Sequence, residues 1–360
     1  IHFQSKDEIF TLAHLYESML KEMRDAAGDS GEFYTPRPVV KLIVDRTKPR
    51  LGETVLDPAC GTGGFLVEAY EYLKPLAKNS KDQIKLQSET LYGVEKKPLP
   101  YLLGTMNLLL HGVENPNIRR DNALKNPLNE IGEKDRFDVI VTNPPFGGEE
   151  EAGIIQLNFP ESLRASETAL LFMQFVMRAL KHGGRCGVVV PNGFLFGDGV
   201  SARIKEQLLR NFDLHTIIRL PNGVFAPYTN IPTHLLFFAR SQPTTEIWYY
   251  EHSLPEGQKN YTKTRPLQFE EFAPLIEWWD APHPSTGLRA ENEHAWKVSV
   301  DDVLKYDENK NLLSVNLDVK NPSRKDDLAH LPPQELVESI LVKEKQIAAI
   351  MDEIKALLTK

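Results

Sequence analysis

Asn143-Pro144-Pro145-Phe146 puts a side-chain amide, rigid backbone carbonyls and an aromatic ring within four residues. Proline fixes φ and carries no N–H, so the carbonyls of Asn143 and Pro144 are not drawn into a helical turn and are left as acceptors. An Asn oxygen beside a Pro carbonyl makes a small cradle for an –NH2 group. The exocyclic amine of adenine suits such a cradle, being a poor nucleophile whose lone pair is delocalised into the ring. Two acceptors on its two hydrogens push the nitrogen towards sp3 and localise that pair without a strong general base. Phe146 is then placed to stack on the base face, where stacking contributes about 1–3 kcal/mol. Asn-Pro is also common turn punctuation, so four residues alone favour the chemical reading only slightly over a plain turn.

The flanking elements favour the chemical reading. Phe137 to Thr142 is an apolar, β-branched run without a breaker, the pattern of a buried parallel strand whose carboxyl end carries the tetrapeptide. Upstream, Glu53 to Asp57 is a strand, and Pro58 to Phe65 a Gly-rich loop opening a helix from Leu66 to about Ala77. Glycines let a ligand approach the backbone, and the helix start offers free N–H groups. A second strand, Thr90 to Glu95, ends in an acid of the kind that grips ribose hydroxyls, and a short third strand ends at Asp121-Asn122. Loop, acid, polar tip and amine cradle thus fall at four successive strand ends, which points to one composite site. Ahead of them, Gly31 to Pro38 turns into a new helix, with Thr35 as N-cap and Pro36 at its first position.

Composition bounds the setting. The chain has 360 residues, 41% of them hydrophobic, enough for a full core. No apolar run reaches the roughly 18 residues of a membrane span, and no secretory signal pattern is present. Cys60 and Cys186, the only cysteines, have no metal-like spacing, which fits a reducing cytoplasm and argues against zinc. Cys60 lies in the Gly-rich loop and Cys186 in a strand, so neither serves the nucleophile that cytosine C5 chemistry needs. A net charge of −8 requires that any nucleic-acid contact be a local basic patch or belong to another chain.

Elsewhere, residues 1–27 have helical apolar spacing and open without Met, as in a chain lacking its upstream part. The stretch 147–165 is Gly- and Glu-rich and reads as a surface loop. Helices are expected at 167–180 and 201–211, and strands at 184–191, 214–220 and 233–239. In the turn-rich connection 221–232, Phe225 and Tyr228 are either walls of a base pocket or loop anchors. The Trp278-Trp279 pair reads as packing. Beyond Pro332-Pro333, Ile340, Ile347 and Ile354 repeat every seven residues, a coiled-coil seam suited to another chain.

These blocks, Gly-Glu-Phe-Tyr-Thr-Pro-Arg-Pro, Asp-Pro-Ala-Cys-Gly-Thr-Gly-Gly-Phe, Gly-Val-Glu, Asn-Pro-Pro-Phe and Leu-Pro-Asn-Gly-Val-Phe, run in order from Gly31 to about Phe238. In combination they resemble the modification subunits of type I restriction-modification systems, N6-adenine DNA methyltransferases. The resemblance implies an α/β class I S-adenosylmethionine-dependent methyltransferase fold with a Rossmann-like, seven-stranded sheet. It divides the chain into the end of a helical region (1–30), a catalytic domain (31–250), an α+β extension (251–330) and a coiled-coil-like helix (331–360). It implies that Glu32, Phe33, Tyr34, Thr35, Pro36 and Arg37, with Thr62, Gly63 and Gly64, line the methionine part of the cofactor. Asp57 and Gly61 shape the loop, Glu95 takes the ribose, and Asp121 and Asn122 sit near the cofactor adenine. Asn143 and Pro144 orient the target amine, Pro145 holds the turn, and Phe146 stacks on a flipped-out adenine, with Phe225 in the target-base pocket. The implied partners are double-stranded DNA, a specificity subunit, a second modification subunit and a restriction subunit. Methylation of a protein glutamine or of RNA, and a non-catalytic scaffold, are the alternative readings.

Overall fold

The computed structural model describes residues 34–280 and 289–323, together with Leu341, Glu344 and Met351. The amphipathic stretch 1–27, Glu32, Phe33 and, those three residues apart, the heptad helix lie outside the described residues. The chain divides into Ile1–Asn321 and Pro322–Lys360, and the sheet, its covering helices and the candidate site all belong to the first unit.

Apolar runs without breakers become the central strands. Val139, Ile140 and Val141 of β4 (Phe137–Thr142) are each at most 1% exposed, the mark of a strand covered on both faces. Its side chains alternate between two cores. Val139 and Val141 pack with Val39, Ile43 and Leu66 on one face. Ile140 joins Leu56, Met173, Val176 and Leu180 on the other. Each such side chain contributes about 1.5–3 kcal/mol when fully buried. The covering helices include α1 (Arg37–Thr47) and α2 (Gly64–Leu73), followed by α3 (Ser80–Ser88), α4 (Pro98–Leu110), α5 (Ala152–Asn158) and α6 (Thr168–Ala179).

β1 (Val55–Asp57) lies between β2 (Leu91–Glu95) and β4, parallel to both, with Val55 opposite Leu91 and Val139. β3 (Ile118–Arg120) continues outward from β2, and β5 (Leu180–Pro191) from β4. The chain therefore reverses its direction of travel across the sheet at β1 and β4, and the crevice beyond their carboxyl ends is the topological switch point. β7 (Thr233–Ala239) inserts antiparallel between β5 and β6 (Asp213–Arg219).

Among the described residues the sheet holds the seven expected strands and two more, in the order β3-β2-β1-β4-β5-β7-β6-β8-β9. β8 (Glu246–Glu251) pairs parallel with the outer edge of β6, and β9 (Ala295–Ser299) runs antiparallel to β8. The aromatic run Trp248-Tyr249-Tyr250 explains the addition. Tyr249 is fully buried and stacks on Trp296 of β9 at 5.3 Å, so leaving that edge uncovered would expose large apolar rings. Trp278, from the helix Ala273–Asp280, is 8% exposed and donates its indole N–H to the Ala290 carbonyl at 2.8 Å, which makes it a packing residue. Within the stretch read as a surface loop, α5 is helical. Its Asn158 donates to the Leu124 carbonyl at 2.8 Å and ties that segment to the residues after β3.

Candidate active site

Hydrogen bonds to the Asp57 side chain stitch the switch point. Thr142 Oγ1, at the end of β4, donates to Asp57 Oδ1, at the end of β1, over 2.8 Å, and the Ala59 N–H donates to the same oxygen. Asp57 is 1% exposed. Burial pushes its carboxyl up to about 7 against these two bonds, with the Glu95 charge adding to the rise.

From Asp57 the chain enters the Gly-rich loop. Gly63 has φ +76° and caps α2, a conformation that L side chains rarely adopt. Residues of α4 brace the loop from behind. A Cβ on Gly104 would stand 2.8 Å from the Gly61 carbonyl, so helix and loop meet backbone to backbone, and Asn107 Nδ2 donates to the Thr62 carbonyl at 2.8 Å. Cys60, within the loop, and Cys186, within β5, are buried, and burial pushes both thiols well above their ordinary value, away from thiolate chemistry.

Glu95 closes over this loop. Its Oε2 accepts from the Gly61 N–H at 2.9 Å and its Oε1 from the Lys97 N–H at 2.8 Å. Burial raises its pKa, and the backbone donors act the other way. The tip of β3 is bound beside it, the Asp121 N–H donating to the Glu95 carbonyl. Asp121 pairs with Lys125, while Asn122 Nδ2 donates to Glu150 Oε2 at 3.0 Å. Glu150 comes from the loop after the tetrapeptide and also accepts from Lys96 Nζ at 2.8 Å. Although burial opposes its charge, Lys96, the Glu151 N–H and Asn122 hold its carboxyl below the usual range. Lys96 and Asn122, just past the ends of β2 and β3, are thereby joined to the loop beyond β4.

At the end of β4, Pro144 is buried and Asn143, Pro145 and Phe146 are half-buried. Asn143 Nδ2 donates to Thr35 Oγ1 at 3.0 Å. Among the described residues, its buried Oδ1 has no hydrogen-bond partner and no donor is bonded to the Pro144 carbonyl. An unpaired buried acceptor costs about 1–3 kcal/mol, a penalty that a ligand donor removes. Phe146 meets the buried Phe225 edge-on, with ring centroids 5.9 Å apart. Phe225 is 3% exposed, so it backs Phe146 and does not offer its own face to a base.

The segment 34–37 binds these parts together. Thr35 does not cap α1, whose N-cap position is Pro36 without a side-chain bond; its hydroxyl is turned to Asn143. Arg37 Nη1 lies 3.9 Å from where a Cβ on Gly64 would stand, over the start of α2. Tyr34 packs on Tyr228 with centroids 4.9 Å apart. Beside them opens a groove of about 620 Å³ lined by Tyr34, Arg37, Lys41, Tyr228, Lys263 and Phe269 among others. The structure therefore gathers Tyr34 to Arg37, Asp57, Gly61 to Gly64, Glu95, Asp121, Asn122 and the tetrapeptide around the carboxyl ends of β1 to β4.

The family model for N-6 DNA methylases matches residues 7–326. The chain belongs to the N-6 DNA methylase family. It is 46% identical over 360 residues to the methylase subunit of the type I restriction enzyme EcoEI of Escherichia coli, spanning 99% of this chain and 71% of that protein. A solved modification subunit assigned to a type I restriction enzyme of Vibrio vulnificus YJ016 superposes with a TM-score of 0.82 at 57% identity, covering 92% of this chain and 68% of that one. A Listeria monocytogenes protein assigned to the class I S-adenosylmethionine-dependent methyltransferases shares the fold at 19% identity, with a TM-score of 0.52 over 76% of this chain and 77% of that one.

Reading the sequence alone passed over Gly104, Asn107, Thr142 and Glu150. A glycine inside a helix costs about 1 kcal/mol relative to alanine, so Gly104 amid the apolar α4 pattern signalled a close packing partner. Asn107, three residues further on the same face, carried the second half of that signal. Nothing local distinguishes Glu150 from Glu149 and Glu151, because its partners are 54 and 28 residues away.

Proposed function

We propose that this chain transfers a methyl group from S-adenosylmethionine to N6 of an adenine flipped out of double-stranded DNA, as the modification subunit of a type I restriction-modification system. The observation that carries the reading is the buried Asn143 Oδ1 at the switch point, which, like the carbonyl of the next residue, Pro144, has no hydrogen-bond donor among the described residues. These two acceptors take the two amine hydrogens and localise the nitrogen lone pair as the N–C bond forms. Pro145 keeps the turn rigid, and Phe146, backed by Phe225, stacks on the extruded base.

The residues present fit the cofactor. Gly63 makes the turn that opens α2, Gly104 lets α4 brace the loop backbone to backbone, and Arg37 brings a guanidinium to the α2 start, where a carboxylate is favoured. Tyr34 to Arg37, together with Glu32 and Phe33, and Thr62 to Gly64 would hold the methionine part, Glu95 the ribose hydroxyls, and Asp121 with Asn122 the adenine, while Asp57 and Gly61 keep the loop in shape. The bound cofactor supplies an electrophilic methyl on a sulfonium. Base recognition and much of the grip on DNA fall to a specificity subunit, in keeping with a net charge of −8 here, and a second modification subunit and a restriction subunit complete the assembly.

The test is transfer of labelled methyl to unmethylated DNA with and without that subunit, followed by nucleoside analysis. Label in N6-methyladenine that depends on the partner is the expected result, and Asn143→Ala is expected to bind cofactor yet transfer nothing. Label in RNA or protein instead, or loss of cofactor binding in a folded Asn143→Ala protein, would overturn the assignment.

A further inference from the structure

We infer that Thr35 is a positioning residue for the Asn143 amide, so that it acts on the rate of transfer through another side chain as well as bordering the cofactor. The inference rests on the proposed reading of Asn143 as an acceptor for the target amine. An asparagine is ambiguous in that task. Rotation about its last side-chain bond exchanges the oxygen and –NH2 ends at little intrinsic cost, because that torsion is broad and roughly two-fold. With the oxygen forward the side chain accepts an amine hydrogen; reversed, it sets N–H against N–H.

One bond decides between the two. Asn143 Nδ2 donates to Thr35 Oγ1 at 3.0 Å across 108 residues of chain, and this leaves Oδ1 as the end without a partner among the described residues. Thr35 is itself firmly seated. The next residue, Pro36, has a fixed φ, and its carbonyl accepts from the Val39 and Val40 N–H groups at 2.9 and 3.1 Å, which locks the start of α1. A hydroxyl has one hydrogen and two lone pairs. It accepts from Asn143 here, and whenever its own hydrogen is given elsewhere it can meet Asn143 only as an acceptor. The amide is then held with its nitrogen on Thr35 and its oxygen outside that bond. The same hydroxyl explains why Thr35 leaves α1 without a side-chain cap.

The test compares Thr35→Val, which keeps the shape and removes the hydroxyl, with Thr35→Ser, which restores it, in the chain assembled with its specificity subunit. Three quantities are read: kcat at saturating cofactor and DNA, cofactor affinity by calorimetry, and Tm. The expected result is a kcat roughly tenfold or more lower for Thr35→Val, the scale of one lost hydrogen bond, with a much smaller change in cofactor affinity, a fall in Tm of at most a few degrees and substantial recovery in Thr35→Ser. A Thr35→Val enzyme with weakened cofactor binding but full kcat at saturation would make Thr35 a cofactor contact alone and overturn the inference. So would a parallel fall in Tm, affinity and kcat that Thr35→Ser does not recover. A wild-type assembly that modifies no adenine sinks the parent reading and this one with it, whereas an active wild type and an indifferent Thr35→Val sink this one alone.

Discussion

Gly104→Ala sets two rules against each other. In a helix interior the change ordinarily stabilises by about 1 kcal/mol, because glycine has the greater freedom to lose. Here the added Cβ would stand 2.8 Å from the Gly61 carbonyl and 3.3 Å from the Gly63 nitrogen, both backbone atoms that cannot swing aside. Overpacking of this kind costs about 1–3 kcal/mol. The net expectation lies between about zero and 2 kcal/mol of lost stability. The larger effect falls on binding. If the loop yields, the Gly61 N–H moves from Glu95 Oε2 and the Thr62 carbonyl from Asn107, both now at hydrogen-bond distance. A hydrogen bond to a carboxylate is worth about 1.5–3 kcal/mol, so cofactor affinity should fall roughly tenfold or more. Gly153→Ala is the control. It lies in α5 with nothing near its would-be Cβ and should follow helix propensity alone. Chemical denaturation gives the stabilities and calorimetry the affinities. If Gly104→Ala gains stability as Gly153→Ala does and binds cofactor like the wild type, the backbone contact between α4 and the loop is not what holds the loop.

Two further perturbations test the site's electrostatics. Asp57 titrates at about 7 in the fold against an ordinary 3.8, so its proton favours the folded state; that contribution is complete below about pH 4 and is lost as pH rises to 7. Asp57→Asn removes the loss while keeping an oxygen for Thr142 and Ala59. Its stability relative to wild type should therefore rise between about pH 4 and 7 and then level off, and a pH-independent difference in denaturation midpoints would contradict the burial argument. Glu150→Gln weakens the ties to Lys96 and Asn122, and limited proteolysis should then cut faster within 147–165; an unchanged cleavage rate would mean the loop is held by α5 alone.

The core of this fold was legible because its determinants are local. The apolar run Phe137 to Thr142, the glycines at 61, 63 and 64 and the acid at 95 each advertise a strand end or a sharp turn within a few residues. What escaped notice depends on contacts between distant segments. Thr35 carries every mark of an N-cap, yet a tertiary partner in Asn143 takes its hydroxyl. Phe225 has the character of a pocket wall, and only the packing around it turns it into the support for Phe146. β8 and β9 were hidden for a related reason. Strand β9 has a single half-buried alternation to show, and its partner lies about 50 residues earlier, so neither short run declares that it will extend a sheet already complete by the expected count.

That nine-stranded sheet has two outer boundaries, and both are poor templates. β3 offers only three residues, of which Arg119 and Arg120 are exposed, and β9 offers five, with Lys297 and Ser299 facing out. Short, charged outer strands discourage another chain from continuing the ladder. Neighbouring copies of the chain therefore have little opportunity to fuse sheet to sheet, and adhesion through backbone pairing is suppressed at the two places where an open α/β layer is most exposed to it.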